Sequence, residues 1–89
     1  MYSVQVEICN QRGLHARASA AFSRLAQNYE ARITVSRAGM TADGKSIMEL
    51  LSLAASKGLD IEITAEGSDA EDAVTALTEL VRNRFGEDV

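Results

Sequence analysis

From Ser3 to Cys9 apolar and polar residues alternate, with Val4, Val6 and Ile8 on one side and Gln5 and Glu7 on the other. A period of two is that of a strand with one buried face. The period changes over 16–29, where Ala18, Ala21, Phe22, Leu25 and Tyr29 recur at three- and four-residue spacing and predict an amphipathic helix. Alternation returns through Ile33 and Val35 and reaches Ala38-Gly39, a tight turn in a glycine-tolerant position, before a weaker strand over 40–42 completes a hairpin.

A second helical face carries Ile47, Leu50, Leu51 and Ala54 and is expected to stop at Gly58, since a left-handed glycine commonly ends a helix. Leu59, Ile61, Ile63 and Ala65 alternate once more, and Ala73, Val74, Leu77, Leu80 and Val81 mark a last helical stripe. Ser46-x-x-Glu49 and Ser68-x-x-Glu71 both read as capping boxes, in which serine and glutamate side chains satisfy free amides at a helix start. The closing residues Gly86, Glu87, Asp88 and Val89 read as a frayed end.

The element order is β-α-β-β-α-β-α. One apolar face per strand and one stripe per helix predict an α+β, open-faced two-layer sandwich, with helices on one side of a four-stranded sheet. Periodicity leaves strand order open, and a ferredoxin-like split βαβ arrangement satisfies it as well. The 89 residues make a single domain over 1–89.

Composition narrows the function. Thirteen acids against nine bases give a net charge of -4, so the summed field disfavours nucleic acid and anionic membranes. No apolar run is long enough to span a bilayer and no signal-peptide pattern opens the chain. One cysteine, Cys9, and one histidine, His15, provide neither an internal disulfide nor a zinc site. A cytoplasmic monomer without metal or cofactor is the expectation.

The first helix differs from the others. It begins at "HARA", with His15 where a Ser, Thr, Asp or Asn cap would stand. Its first amides, Ala16 among them, are free to meet an anion, for which the positive helix end is suited. Arg17 in the first turn adds a guanidinium able to grip a phosphoryl oxygen twice. A neutral imidazole offers a lone pair to an electrophile, and phosphoryl transfer requires mainly position and charge stabilisation. The plainer alternative is a surface histidine beside a solvated arginine, with Gly13 relaxing a strand-to-helix turn.

The stretches "GLHARASA" and "GKSIMELLSLAASKG" closely resemble the HPr family, the histidine-containing phosphocarriers of the bacterial phosphoenolpyruvate:sugar phosphotransferase system. The resemblance covers nearly the whole chain. It implies an HPr-like antiparallel sheet of order 1-4-2-3 with three helices on one face. It implies that His15 accepts a phosphoryl group from enzyme I and passes it to a histidine of an enzyme IIA protein or domain, with Arg17 as the active-site arginine. Ser46 matches the serine modified by HPr kinase/phosphorylase in lineages that possess it, while also capping a helix. Ala20, Ile47, Met48 and Leu51 resemble the family's partner-contact patch, although Ile47 and Leu51 are equally suited to the core.

Ala18 replaces the proline of the commonest family motif "HARP", which points to a divergent branch. The nitrogen-related phosphotransferase branch is therefore the alternative, as is a regulatory binding module read through phosphorylation of Ser46. A hydrolase built on Cys9 and His15 lacks any further partner in the sequence.

Overall fold

A computed structural model describes all residues from Met1 to Val89. The order is β1 (Tyr2–Glu7), α1 (Ala16–Ala26), β2 (Arg32–Arg37), β3 (Met40–Asp43), α2 (Ile47–Ser52), β4 (Asp60–Glu66) and α3 (Ala70–Arg82), followed by a short 3-10 turn at Arg84–Gly86. The strands form one sheet in the order β1-β4-β2-β3, and every pair is antiparallel. The order required by the family resemblance is the one observed, and the ferredoxin-like alternative is not.

Alternation sets the two faces of the sheet. Val6, Ile33, Val35, Ala42, Ile61, Ile63 and Ala65 turn inward and are almost fully buried. On the far side Ser3 and Thr64, directly paired across β1 and β4, join their hydroxyls at 3.0 Å. Phe22 of α1, Leu50 of α2 and Leu77 and Val81 of α3 complete the core with no exposed surface. Burying each such side chain contributes about 1.5–3 kcal/mol. The hairpin between β2 and β3 pairs Arg37 with Met40 across Ala38 and Gly39, both at positive φ (50° and 83°), the geometry whose twist matches the strands it joins.

Both early helices are shorter than their patterns suggest. α1 gives way at Ala26 to three-residue turn bonds, Asn28 N–H to Leu25 O and Tyr29 N–H to Ala26 O. α2 ends at Ser52 and never reaches Gly58, because Ala54 takes φ 49° and turns the chain so that Leu53 and Ala55 enter the core while Ala54 stays exposed. Leu59, placed in the fourth strand by its spacing, lies just before β4 and is exposed.

Neither capping box forms as written. Ser46 does cap α2, its hydroxyl accepting from Glu49 N–H at 3.2 Å, but the Glu49 carboxylate accepts from Asp43 N–H instead of returning to Ser46. At α3 the boundary residue is Asp69, and Ser68 stands outside the helix. The Asp69 carboxylate reaches away from its own helix to accept from Glu30 N–H at 2.9 Å and Ala31 N–H at 2.8 Å. It clasps the connection between α1 and β2 to the start of α3.

The Glu30 amide, with those of Ala31 and Asp69 and the Lys45 charge, holds the Asp69 carboxyl below its usual value despite the opposing effect of desolvation. A group so depressed stabilises the fold fully above the ordinary carboxylate range and loses that contribution as pH falls through its folded value. Urea midpoints measured from neutral to strongly acidic pH are therefore expected to be flat at first and to decline only in acid. Asp69→Asn is expected to make that decline shallower, and an identical acid profile would contradict the assignment.

Candidate functional site

The connection from β1 to α1 is pinned at Gly13. Its φ is +67°, and a Cβ there would lie 2.4 Å from the Ala55 carbonyl oxygen and 2.8 Å from Ser56 Cα. Only glycine combines that backbone with so close an approach. Leu14 N–H then donates to Ala55 O at 2.8 Å, and the Leu14 side chain is buried. With two residues fixed, His15 follows in extended conformation (φ -82°, ψ -173°) as the residue preceding α1. Its side chain is about one-quarter exposed, at 23 %.

The His15 carbonyl accepts from Ser19 N–H at 2.8 Å, the first paired amide of the helix. The N–H groups of Ala16, Arg17 and Ala18 have no acceptor within the chain, and His15 provides no side-chain cap. The other helix starts are partly occupied, by the Ser46 hydroxyl at α2 and by the Gly67 carbonyl, which accepts from Ala70 N–H, at α3. Ala18 is fully buried, yet it keeps a peptide hydrogen that a proline in its place would lack. The first turn of α1 thus presents unpaired donors and the positive helix end beside a partly exposed imidazole.

The tail is the largest departure from the sequence reading. It is docked, not frayed. Arg84, Phe85 and Gly86 take φ of 57°, 54° and 82°, a left-handed turn costing roughly 1–2 kcal/mol at each non-glycine residue. Burial of Phe85 in the core offsets that cost, and the turn directs Glu87 back to His15. Glu87 Oε2 pairs with His15 Nε2, while Glu87 Oε1 accepts from Asn10 Nδ2 at 2.9 Å. Asn10 is fully buried and donates also to Gly13 O at 2.9 Å. Gln11 N–H holds Val89 O at 3.1 Å.

Burial pushes the Glu87 carboxyl upward, but hydrogen bonds from Asn10 and His15 and the nearby charges of His15 and Arg17 outweigh it and hold the group below its usual value. Glu87 is therefore a carboxylate at neutral pH. Arg17 is exposed and lines one hollow together with Arg12 and the tail from Phe85 to Val89, so two guanidinium groups flank the same surface. Asn10, Arg12 and Glu87 were not singled out from sequence. The available signal was Phe85, an aromatic residue beyond the last helical stripe whose burial would tie the tail down.

Ser46 is half-exposed at the start of α2. Ile47 and Met48 are 41 % and 76 % exposed, so neither belongs to the core. Leu51 on α2 and Ala20 on the adjoining α1 are half-buried. Cys9 directs its thiol to the carbonyl ends of α3, Val81 O at 3.4 Å and Arg82 O at 3.6 Å. No three His, Cys, Asp or Glu side chains come together to hold a metal, and no helix is long and apolar enough to cross a membrane.

A family model described as the PTS HPr component phosphorylation site matches residues 2–83. Among curated proteins, the phosphocarrier protein HPr of Neisseria meningitidis is 42 % identical over 87 residues, covering 98 % of each chain. That of Cupriavidus necator is 45 % identical over 80 residues, covering 90 % of each. Among solved structures, HPr-C-His from Thermoanaerobacter tengcongensis superposes with a TM-score of 0.95 at 39 % identity over all of both chains.

Proposed function

The chain belongs to the HPr family, the phosphocarriers of the phosphotransferase system, and from that premise we propose that His15 takes a phosphoryl group from the phosphohistidine of enzyme I and passes it to a histidine of an enzyme IIA protein or domain. A ring nitrogen of His15 supplies the electron pair for the new N–P bond as the donor's N–P bond breaks and its pair returns to the donor imidazole. The chain is then a substrate of two other enzymes, restored at each cycle, and turns over no small molecule of its own.

One observation carries the reading: the only imidazole stands at a helix start whose first three amides are unpaired. The incoming group brings about two negative charges at neutral pH, by comparison with phosphorylated hydroxyls. Peptide hydrogens of Ala16 to Ala18 meet them at a helix end of favourable sign, and Arg17 adds a mobile, permanently charged fork. Because these donors already stand in place, little reorganisation accompanies transfer in either direction.

Ile47 and Met48 supply an exposed apolar surface on α2, and Ala20 and Leu51 border it. Met48 suits recognition of two differently shaped partners, since an unbranched thioether repacks readily. Ser46 adjoins that surface. Phosphorylation there by an HPr kinase/phosphorylase would place about -1.5 to -2 charges beside Ile47 and next to the exposed carboxylate of Glu49, weakening docking without disturbing His15. The same acidic neighbour, with Ala18 in place of proline, keeps the nitrogen-related branch as the second reading.

Incubation with phosphoenolpyruvate and enzyme I tests the carrier role. The chain is expected to gain a phosphoryl group that survives alkali and is released by acid, and failure to gain one from any cognate enzyme I would contradict it.

A further inference from the structure

β1 and β3 are the two edges of the sheet, and their outer backbone groups are used differently. In an antiparallel strand the N–H and C=O of one residue point to the same side, and successive residues alternate. On β3, Gly44 N–H reaches back to Ile33 O, so Thr41 and Asp43 are the residues that face outward. Asp43 is already engaged. Its N–H donates to the Glu49 carboxylate at 2.9 Å, and its carbonyl accepts from Ser46 N–H at 3.0 Å. A carboxylate and a helix start close that edge to a further strand.

β1 has no such guard. Ile8 N–H donates to Leu59 O at 2.9 Å and Ile8 O accepts from Gly58 N–H at 2.8 Å, so Ile8, Val6, Val4 and Tyr2 turn their backbone groups toward β4. Ser3, Gln5 and Glu7 turn theirs outward, where no other backbone of the chain meets them. All three are exposed. An open edge is a template for another strand, which proteins commonly blunt with lysine or proline. β1 contains neither.

The two faces of that edge differ in chemistry. β1 and β4 together carry Glu7, Asp60, Glu62 and Glu66 and no base. Glu66 has Arg32 directly opposite on β2, but Glu7 and Asp60 stand opposite each other, a like-charge pair that weakens a sheet. Glu62 lies opposite Gln5. These carboxylates do not gather closely enough to hold a metal ion, so only cations spaced along the sheet can neutralise them. On the helix side the edge is apolar, with Val4 half-buried and Tyr2 47 % exposed.

We infer that the β1 edge is a docking site for an extended segment of another protein, which adds as a fifth, antiparallel strand with basic residues at alternate positions and apolar residues between them. Main-chain hydrogen bonds to Ser3, Gln5 and Glu7 supply affinity, and the two side-chain faces supply selectivity. With strands about 4.8 Å apart, a lysine or arginine opposite Glu7 reaches both Glu7 and Asp60, and one opposite Gln5 reaches Glu62. The apolar residues sit opposite Val4 and Val6. A second copy of this chain suits the edge poorly, because its own β1 brings another Glu7 and no cation. The inference goes beyond the carrier reading and does not depend on it.

The probe is the peptide acetyl-Lys-Val-Arg-Val-Lys-amide, titrated into the full chain at low ionic strength and followed by amide chemical shifts and hydrogen exchange. Shifts are expected to centre on β1. Extrapolated to full occupancy, exchange of the Ser3, Gln5 and Glu7 amides is expected to slow by about 10-fold or more, as for amides that gain protection, while those of β3 are unchanged. Glu7→Lys is expected to weaken binding by about 5-fold or more, the upper scale of one cross-strand charge pair. Glu7→Gln is expected to weaken it less and, by removing the repulsion with Asp60, to raise the urea midpoint of the free protein. The same peptide N-methylated at its basic residues keeps its charges but loses the donors that face β1, and it is expected not to bind.

Equal binding of the methylated peptide, shifts spread over the acidic face without protection of the β1 amides, or no shifts at all would overturn the inference. Protection of those amides in a free chain that sediments as a dimer would overturn it too, by giving the edge to a second copy.

Discussion

Exchanging Asn10 for aspartate lowers the stability of the protein by about 3–5 kcal/mol at neutral pH, the scale of a buried charge without a partner. The native side chain is fully buried and gives both of its interactions as a donor, to Gly13 O and to Glu87 Oε1, each at 2.9 Å. An introduced carboxylate would face a carbonyl on one side and a second carboxylate on the other, with nothing to donate. Its native oxygen already has no hydrogen-bond partner, so no existing donor rescues the change. In urea, with a slope of about 1 kcal/mol per molar for a small domain, the midpoint is expected to fall by about 3 M or more. The deficit should shrink in acid, where the introduced carboxyl can carry a proton. A loss below about 1 kcal/mol would show that Asn10 does not anchor the tail.

Removing the Arg17 side chain leaves the fold intact and slows phosphoryl acceptance by about 100-fold, the lower end of what loss of one transition-state donor costs in a preorganised anion site. The side chain is exposed and makes no hydrogen bond or ion pair of its own, so stability has little to lose. Its charge is available to the incoming group and to Glu87, whose carboxyl it helps hold low. Arg17→Lys should recover only part of the rate, because an ammonium is a point charge and cannot grip two phosphoryl oxygens in one plane. Rates for Arg17→Ala, Arg17→Lys and the wild-type chain, taken with the same enzyme I, check both statements. Equal rates in all three would assign the guanidinium no part in the transfer.

What was legible in the sequence was local. Val4, Val6, Ile61 and Ile63 alternate because their strands have one buried face, and that face is the one observed. The uncapped start of α1 was visible because a cap lies within three residues of what it satisfies. Strand order was not visible in the periodicity, since any order buries the same faces, and it came from the family resemblance. Helix ends were misplaced where tertiary contacts decided them: Ala54 adopts a left-handed turn without being glycine, and Asp69 leaves its own helix to clasp Glu30 and Ala31.

The candidate site was half legible for the same reason. His15, Ala16 and Arg17 are neighbours in sequence, but Glu87 reaches His15 only because Phe85 is buried and three consecutive left-handed residues reverse the chain. A contact spanning 72 residues leaves no periodic trace. A tail of glycine and acids after the last helix is indistinguishable in composition from a solvated end.

The central claim is that the imidazole at the open start of α1 carries the phosphoryl group. Mapping the modified position after reaction with phosphoenolpyruvate and enzyme I, with digestion and mass analysis kept alkaline to preserve a nitrogen–phosphorus bond, tests it most directly. The account predicts a single label, on the fragment containing Gly13 to Arg17, assigned to His15. A label found instead on Ser46 or Cys9, with His15 unmodified, would contradict it.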